Sequence, residues 1–484
     1  MAITIPLDPR LSMPLHRRLY EHLRDQILTG RLAPGERMPS TRALSESLGV
    51  SRTTVTLSYE QLISEGYFET VTGSGTYVSR ALSEGLGSGD EPETQSQIRV
   101  RLSEYGKRLL QREPFIRKEW AFPVSFRHGR PDYSRFPMTV WRRLLLRHCR
   151  ANQYSMLDYA SDGQGYAPLR EEISRYISRS RSVRCNAGQI VIVNGSQQAL
   201  DLVSRTLANQ GDTVALEDPC YHGAFRAFES QGLHLRPIAV DESGLIVDRL
   251  IKSREKNIRF VYVTPSHQFP TGYVLSLPRR LQLLDWAERN RSMIVEDDYD
   301  SEYRYAAHPL PSMQGLEPGG RVLYAGTFSK VLFPALRIGY IVAPESLAPV
   351  LARAKWLTDR QTPLLEQYAL TDFIRQGFLE RHIRRMRKLY DQRRRTLVTE
   401  LQKHFGSRVS IQGENTGMHI MVSFHIEYSA EEFLRRAAQA GVGMLSARQY
   451  YIKAKHTNQF VLGYANLTES EIREGVLRLA RVRL

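Results

Sequence analysis

The chain has 484 residues, a length at which a single hydrophobic core rarely organises the whole molecule, so at least two domains are expected. Its 42% hydrophobic content is that of a globular protein, and the absence of any run of 18 apolar residues argues against a membrane-spanning helix. The net charge of +16 suggests a polyanionic partner, yet residues 1–80 carry nine Arg and no Lys against eight acidic residues, so most of the excess lies beyond them.

Cysteine usage and the N-terminus indicate the compartment. Cys149, Cys185 and Cys220 show neither the paired spacing of a disulfide framework nor a metal-ligand motif, so no metal is expected. The stretch MAITIPLDPRLSMPLHRRLY lacks the charged start and continuous apolar core of a signal peptide. We therefore expect a cytoplasmic protein.

Three regions differ in composition. Residues 1–80 show helical periodicity and end in a Gly-rich, strand-like stretch. Residues 81–118 are polar and rich in Gly, Ser and Glu, which predicts a linker. Residues 119–484 alternate short β-branched runs with helical segments, the pattern of βαβ units around a mostly parallel sheet.

In the first region the sequence predicts two helices joined by a tight turn. Ser40 begins the first helix and Gly49 ends it, and Ser51 caps the second. In the second helix the apolar residues fall at helical spacing and are predicted to face a core: Val55, Tyr59, Leu62 and Ile63. Two short strands around TGSG then form a predicted wing, whose glycines let backbone approach a phosphate.

The phrases GERMPSTRALSESLGVSRTTV, LISEGY and GSGTYV resemble the winged helix-turn-helix domain of GntR-family transcription regulators over residues 10–79. The resemblance implies operator DNA as a partner. The residues it marks as DNA contacts are Arg42, Ser51, Arg52, Thr53, Thr54 and Gly73. Arg52 is suited to bind a guanine bidentately. The alternative is a small helical module that binds protein.

Lys330 lies in an otherwise uncharged run, LYAGTFSKVLFPAL, of the kind that packs inside a domain. One interpretation is a lysine whose stem packs while its ammonium reaches water. The other is a desolvated amine that forms a Schiff base with an aldehyde cofactor. The hydroxyls of Thr327 and Ser329 and the guanidinium of Arg337 would then hold a phosphate, which together describes pyridoxal phosphate.

The remaining parts of a pyridoxal phosphate site have candidates just after predicted strands, the edge at which open α/β sheets bind ligands. Asp297 would keep the pyridine nitrogen protonated, Tyr299 would contact the ring oxygen, and Tyr221 would stack on the ring. Gly195, Ser196 and Gln197 begin a helix and would offer amide hydrogens to the phosphate. Taken singly, each has a structural explanation: a helix cap, a core tyrosine or a plain helix start.

In this order along the chain, and with TPSHQFPTG at 264–272, these segments resemble the fold-type I aminotransferases. A GntR-like domain linked to an aminotransferase-like domain resembles the MocR subfamily of regulators. The resemblance implies a winged helix-turn-helix domain plus an α/β fold-type I domain, pyridoxal phosphate as cofactor, and a small-molecule effector that is the cofactor itself, an amine or an amino acid. It also implies a head-to-tail homodimer.

Departures from the aminotransferase pattern affect the expected ligand. Phe269 stands where an asparagine usually contacts the ring oxygen, and His267 or Gln268 could replace it. Val461 stands where an arginine usually clamps the substrate carboxylate, and Arg448 is either a replacement clamp or a surface arginine. Regulators of γ-aminobutyrate tend to carry an arginine where this chain has Gly223.

Two functions remain open from the sequence. The first is a regulator whose former enzyme site acts as a sensor, which Val461 favours; the second is an aminotransferase with an accessory DNA-binding domain. Four basic residues on one predicted helical face are either solvated or a track for bent DNA: Arg381, Arg384, Arg385 and Lys388.

Overall fold

The structure is a computed structural model that describes residues 13–81, 100–110, 122–149, 158–159, 163–253, 257–305, 310–317, 319–453 and 458–482. These residues form two compact units, divided between Arg101 and Leu102. No helix in the described ranges combines the length and the apolar character that a bilayer crossing requires.

The N-terminal unit is a three-helix domain with a two-stranded antiparallel hairpin. Its elements are α1 Leu15–Leu28, α2 Thr41–Leu48, α3 Arg52–Ser64, β1 Phe68–Val71 and β2 Gly75–Val78. Leu23, Val55 and Leu62 are fully buried in its core. Ile63, which the periodicity assigned to the core, is 38% exposed because it lies at the edge of the buried face of α3, beyond Tyr59. That prediction was wrong.

The predicted helix boundaries of this unit are confirmed in their chemistry. The Ser40 hydroxyl accepts a hydrogen bond from the Ala43 N–H at 3.2 Å, and the Ser51 hydroxyl accepts one from the Thr54 N–H at 3.2 Å. Gly49 ends α2 with φ +64°, a left-handed conformation that glycine adopts without steric cost. Together these residues fix the sharp turn between α2 and α3.

The larger unit contains thirteen helices among the residues described. They are α4 Glu104–Leu110, α5 Met138–His148, α6 Ala167–Arg181, α7 Ser196–Leu207, α8 His222–Ser230, α9 Val247–Ile251, α10 Leu277–Arg289, α11 Met313–Leu316, α12 Ala348–Asp359, α13 Leu364–Arg375, α14 Phe378–Phe405, α15 Ala430–Gln439 and α16 Glu469–Ala480.

Its strands belong to a large sheet, a smaller sheet and a short strand pair. They are β3 Val124–Ser125, β4 Ile190–Val193, β5 Thr213–Asp218, β6 His234–Asp241, β7 Gly244–Leu245, β8 Ile258–Val263, β9 Met293–Asp298, β10 Val322–Thr327, β11 Gly339–Val342, β12 Val409–Gln412, β13 His419–Phe424, β14 Val442–Gly443, β15 Leu445–Ser446 and β16 Gln459–Gly463.

The large sheet has the order β4-β11-β10-β9-β8-β5-β6-β7. Strands β10, β9, β8, β5 and β6 are mutually parallel, and β11 runs antiparallel to both of its neighbours, so β4 points the same way as β10. The central strands are buried along nearly their whole length because the sheet is covered on both faces, as the continuous apolar runs predict. The carboxyl ends of β4, β5, β8, β9 and β10 therefore meet at one edge.

The smaller sheet, in the order β12-β13-β16-β15, packs with α14 and α16 around a separate hydrophobic core. Strand β13 pairs with β16, so that Met421 lies opposite Val461. This sheet supplies residues 418 and 419 to the pocket described below.

The region predicted as a linker lies partly outside the described residues, which omit 82–99 and 111–121. In between, α4 is a short helix, and the Arg108 side chain donates a hydrogen bond to the Ser230 carbonyl at 2.9 Å. Residues 102–110 are therefore packed against the larger unit.

Candidate cofactor pocket and DNA-binding surface

A pocket opens at the edge where the parallel strands end, and the space within it amounts to about 540 Å³ when the solvent at its mouth is included. Segments after β4, β5, β8, β9 and β10 contribute to it, together with the loop after β3 and the start of β13. Its described walls are formed by His128, Gly129, Ser196, Tyr221, Phe269, Asp297, Tyr299, Asp300, Lys330, Met418 and His419.

The Lys330 side chain lies in this pocket. Its Nζ donates a hydrogen bond to the Gly129 carbonyl at 3.0 Å. Burial lowers the pKa of Lys330, and nearby Asp300 and Asp297 partly oppose that effect. A lowered pKa increases the fraction of neutral amine, which is the nucleophilic form that attacks an aldehyde.

Asp297 is buried in the same pocket as Lys330, and only one of its two carboxylate oxygens has a hydrogen-bond partner among the described residues. Its Oδ2 accepts a hydrogen bond from the Tyr262 hydroxyl at 2.8 Å, whereas Oδ1 has no partner among the described residues. Burial raises the pKa of Asp297 to about 7. An unpaired buried carboxylate oxygen is costly, and a pyridine N–H placed against it would remove that cost.

Tyr299 joins a hydrogen-bond network with His267 and Asp300. His267 Nδ1 lies 2.8 Å from Asp300 Oδ1 and 2.9 Å from the Tyr299 hydroxyl oxygen. Because a carboxylate only accepts, we assign the Nδ1 proton to the hydrogen bond with Asp300, and a protonated Nδ1 cannot accept a hydrogen bond from Tyr299. The Tyr299 hydroxyl proton is then free to be donated into the pocket, as contact with a cofactor ring oxygen requires.

The candidate phosphate cup lies at the N-terminus of α7. Gly195 has φ +82°, and an added Cβ there would lie 3.2 Å from the Arg337 guanidinium, which donates a hydrogen bond to the Asn194 carbonyl. The buried Ser329 hydroxyl has no hydrogen-bond partner among the described residues, and the Thr327 hydroxyl accepts from the Ser329 N–H at 3.2 Å. These groups can bind a phosphate: a glycine that leaves room, a guanidinium, a hydroxyl without a partner and the N-terminus of a helix.

Two of the predicted cofactor residues have different surroundings. The Gln197 side chain donates one hydrogen bond to the Gly223 carbonyl at 3.0 Å, and its backbone N–H lies at the start of α7, where a phosphate would accept from it. Tyr221 lies on the pocket wall and contacts Phe269 edge-on, with ring centroids 5.9 Å apart. Burial raises the pKa of Tyr221 to about 12, so the phenol stays protonated.

Gln268 and Arg448, which the sequence offered as substitutes for the missing asparagine and arginine, both have other partners. Gln268 is fully buried and uses its amide on the Pro219 and Phe269 carbonyls, both at 2.7 Å, so it does not face the pocket. Arg448 forms an exposed ion pair with Glu431 at 2.9 Å. Neither side chain is therefore available as a replacement. Arg448 is the surface arginine of the alternative interpretation, and His267, the other residue considered for the ring oxygen, contacts Tyr299.

Several pocket residues were not identified from the sequence: His128, Gly129, Asp300, Met418 and His419. Asp300 had a signal, since it belongs to the same DDYD run as Asp297. His128 and His419 had none, because they come from segments about 290 residues apart that only the tertiary fold brings within 5.8 Å.

The predicted DNA-binding residues cluster on the exposed start of α3 and on the hairpin turn. Arg52 and Thr53 are exposed, and the Ser51 and Thr54 hydroxyls share a hydrogen bond at 2.7 Å. Gly73 lies in the turn of the wing with φ +77°, in open space. Arg42 is exposed on α2 and pairs with Glu46 at 3.1 Å.

One basic residue at the wing was missed. The exposed Arg37 side chain donates a hydrogen bond to the Ser74 carbonyl at 2.8 Å and so fastens the wing turn to the segment before α2. The sequence gave no sign of this, because 37 residues separate the two groups.

The geometry therefore defines a protein with a winged helix-turn-helix domain and a fold-type I α/β domain with a pyridoxal phosphate pocket. Comparison with known proteins agrees. Residues 15–78 match the model for bacterial regulatory proteins of the gntR family, and residues 124–479 match aminotransferase class I and II.

Two relatives align with this chain across both the gntR-family domain and the aminotransferase class I and II domain. The chain is 37% identical to the probable rhizopine catabolism regulatory protein MocR of Rhizobium meliloti, over 97% of this chain and 94% of that protein. It is 29% identical to the pyridoxine biosynthesis transcriptional regulator PdxR of Corynebacterium glutamicum, over 97% of this chain and 96% of that protein. This chain belongs to the MocR-type regulators of the gntR family, in which the second domain is an aminotransferase class I and II domain.

A solved structure supports the second domain. The α-aminoadipate aminotransferase LysN of Thermus thermophilus, complexed with N-(5'-phosphopyridoxyl)-L-leucine, matches with a TM-score of 0.68 and 32% identity, covering 74% of this chain and 91% of that one. The family and the pocket chemistry together identify pyridoxal phosphate as the cofactor.

Proposed function

We propose that this protein is a pyridoxal phosphate-dependent transcription regulator that binds operator DNA and senses the cofactor, or an amine that reacts with it, at Lys330. The observation that carries the proposal is the pocket itself. It retains the amine of Lys330 and the unpaired oxygen of Asp297, while a buried valine, Val461, occupies the position of a carboxylate clamp. Such a site retains cofactor chemistry but holds an amino acid poorly.

In this proposal the N-terminal domain binds DNA through the exposed start of α3 and the wing. Arg52 and Thr53 are free of the domain core, and the wing turn at Gly73 leaves backbone open to a phosphate. We further propose a cytoplasmic head-to-tail homodimer, with domains at 1–80 and 119–484 joined by the segment 81–118.

Sensing requires two states with different ligand affinities. A lysine that is covalently bound to the cofactor and a lysine released by a competing amine are two chemically distinct states of the same pocket. A ligand shifts an equilibrium only through such a difference, and a change from 1:99 to 99:1 needs about 5.5 kcal/mol. The Lys330 exchange would supply that difference.

The test is footprinting of the DNA upstream of the protein's own gene, with the full-length protein alone, with pyridoxal phosphate, and with cofactor plus candidate amines. A footprint that changes with cofactor alone indicates a cofactor sensor, and one that changes only with an amine indicates an amine sensor. A footprint identical under all conditions, or no footprint at all, would contradict the proposal.

A second candidate function, an aminotransferase with an accessory DNA-binding domain, is favoured by one observation. Lys330, Asp297 and Tyr299 all line the pocket. Transamination additionally requires the substrate to be held with its Cα–H bond perpendicular to the ring, which a carboxylate clamp enforces and Val461 does not. Sustained turnover of an amino acid with a keto acid would establish this second function.

A further inference from the structure

The pocket has few charged groups besides those that fit the cofactor. Lys330 is the one Lys or Arg side chain among its described lining residues, and that amine is assigned to the cofactor. The carboxyl group of Asp300 also lines the pocket and accepts a hydrogen bond from His267. A carboxylate placed there would lose its hydration without gaining a guanidinium or ammonium partner, and it would lie near Asp300.

Both positions at which an arginine could recognise a carboxylate are closed by packing. Val461 is completely buried in a cluster with Phe269, Met421, Ala447 and Tyr450. At Gly223, an added Cβ would lie 2.4 Å from Gln197 Oε1 and 2.5 Å from the Tyr221 ring. An arginine at either site would displace neighbouring side chains.

His267 does not provide a substitute cation on the pocket surface. Its Nδ1 is used by Asp300 and Tyr299, and the Cε1 edge of the ring, between the two nitrogens, faces Gly417, where an added Cβ would lie 1.9 Å from Cε1. Nε2 is buried without a partner among the described residues. His267 therefore acts on the pocket through Tyr299 and Asp300.

The remaining polar groups of the pocket wall are hydrogen-bond acceptors, so they favour a ligand that carries hydrogen-bond donors. His419 Nε2 lies 3.2 Å from the Pro270 carbonyl, so this nitrogen carries the proton. Burial, with the neighbouring His267 and His128, holds the pKa of His419 well below its usual range, so the ring is neutral and Nδ1 is an acceptor. The Asp300 carboxylate is a second acceptor on the wall. Hydroxyl groups satisfy such acceptors, whereas a carboxylate does not.

We infer that the effector is a primary amine that carries hydroxyl groups and no carboxylate. Its amine would replace that of Lys330 on the aldehyde carbon of the cofactor: a bond from that carbon to the effector nitrogen would form, the bond to Nζ would break, and Lys330 would leave as the free amine. Its hydroxyls would donate to His419 Nδ1 and to Asp300. This inference rests on the proposed function, since it names the ligand class of the same pocket.

The test uses full-length protein loaded with pyridoxal phosphate and three matched pairs that differ only in CH₂OH against carboxylate: serinol and serine, alaninol and alanine, ethanolamine and glycine. Titration is followed by cofactor absorbance. We expect each amino alcohol to bind at least about tenfold more tightly than its amino acid, with serinol, which has two hydroxyls, the tightest.

Two variants sharpen the test. Val461→Arg places a cation among Phe269, Met421 and Tyr450, which must repack to admit it. In a variant that remains folded, serine affinity should rise about tenfold or more relative to serinol. Should that variant fail to fold, Asp300→Asn removes the anion and one acceptor with little change in shape. It should lower the preference for serinol over serine by several-fold.

The inference is overturned if serine binds as tightly as serinol, or if no amine alters the spectrum of protein whose cofactor is attached to Lys330. The proposed function has a separate readout: borohydride reduction followed by peptide mass analysis shows whether Lys330 holds the cofactor. Absence of that adduct would contradict the proposed function itself.

Discussion

The amine of Lys330 donates its hydrogen bond to the carbonyl oxygen of Gly129, 3.0 Å away and 201 residues earlier in the chain. Gly129 has φ +78°, and an added Cβ would lie 3.0 Å from the same nitrogen. The carbonyl thus holds the lysine at the pocket wall, within the field of Asp297 and Asp300. Under the proposed function, this position makes Lys330 the link between cofactor attachment and the state of the domain.

Replacing Lys330 by Ala should abolish covalent cofactor attachment while leaving the fold and DNA binding intact, because the base-contacting residues lie in the other unit. The regulatory response should disappear, since no lysine remains to be exchanged. A gel-shift titration beside a reporter assay measures both properties. A Lys330→Ala protein that responds normally to cofactor and amine would show that Lys330 is only a packed lysine.

Replacing Asp297 by Asn should stabilise the cofactor-free protein at pH 8 and much less at pH 5. The folded-state pKa of about 7 lies above the value of an exposed aspartate, so native stability is highest at low pH and falls as the pH rises towards 7. The free energy of unfolding falls by about 1.4 kcal/mol for each pH unit between the pKa of an exposed aspartate and the folded-state pKa of Asp297.

Thermal unfolding of cofactor-free wild type and Asp297→Asn at several pH values measures this effect. The same variant should bind pyridoxal phosphate more weakly, because its amide cannot neutralise a pyridinium. A constant difference in Tm across this pH range would show that Asp297 is not the titrating group.

Replacing Gly417 by Ala should destabilise the larger unit and loosen the cofactor site together. An added Cβ would lie 1.9 Å from His267 Cε1, and φ is +75°. His267 would have to move away from Tyr299 and Asp300. Gly211→Ala is the matched control, because φ there is +89° and no atom lies within 4 Å of the added Cβ. The backbone strain alone costs about 1–3 kcal/mol, so equal losses of Tm in both variants would refute the packing role.

Replacing Arg52 by Ala should weaken operator binding by about 1–3 kcal/mol and relax preference at one base pair, because a bidentate donor to a base edge is lost. Arg17→Ala is a suitable control, since Arg17 is an exposed arginine of α1 that pairs with Glu21. Fluorescence anisotropy with operator variants separates the two effects. Uniform weakening on every sequence would instead assign Arg52 to a phosphate.

Reversing Arg381, Arg384 and Lys388 to Glu tests whether α14 contacts DNA. All three are exposed, and none forms an ion pair with an acidic residue in the described part of the chain. If DNA lies on this face, each lost phosphate contact should reduce the slope of log affinity against log salt by about 0.9. Reversing three exposed arginines on other helices, Arg289, Arg435 and Arg473, changes the net charge by the same amount and serves as the control. An unchanged slope would indicate a solvated face.

Sequence patterns alone predicted most of the secondary structure that positions the site. Ser40, Gly49 and Ser51 predicted the helix ends because capping is a local interaction between residues two or three apart. The apolar runs before Asp297 and Lys330 predicted buried parallel strands. Because open α/β sheets bind ligands at the carboxyl ends of such strands, the residues that follow them were predicted to share one pocket. Ile63 was assigned wrongly because periodicity over one short helix does not resolve which of two adjacent apolar residues faces the core.

The tertiary structure alone decided which groups complete the pocket. His128, His419 and Gly129 reach it from distant segments, and no local pattern encodes a contact across hundreds of residues. It also decided that Gln268 faces inward and that Arg448 pairs with Glu431, because side-chain direction depends on which partners packing brings within hydrogen-bond distance. Short-range chemistry thus determined the elements and the cofactor class, whereas long-range packing determined the charge of the pocket and hence the ligand that it admits.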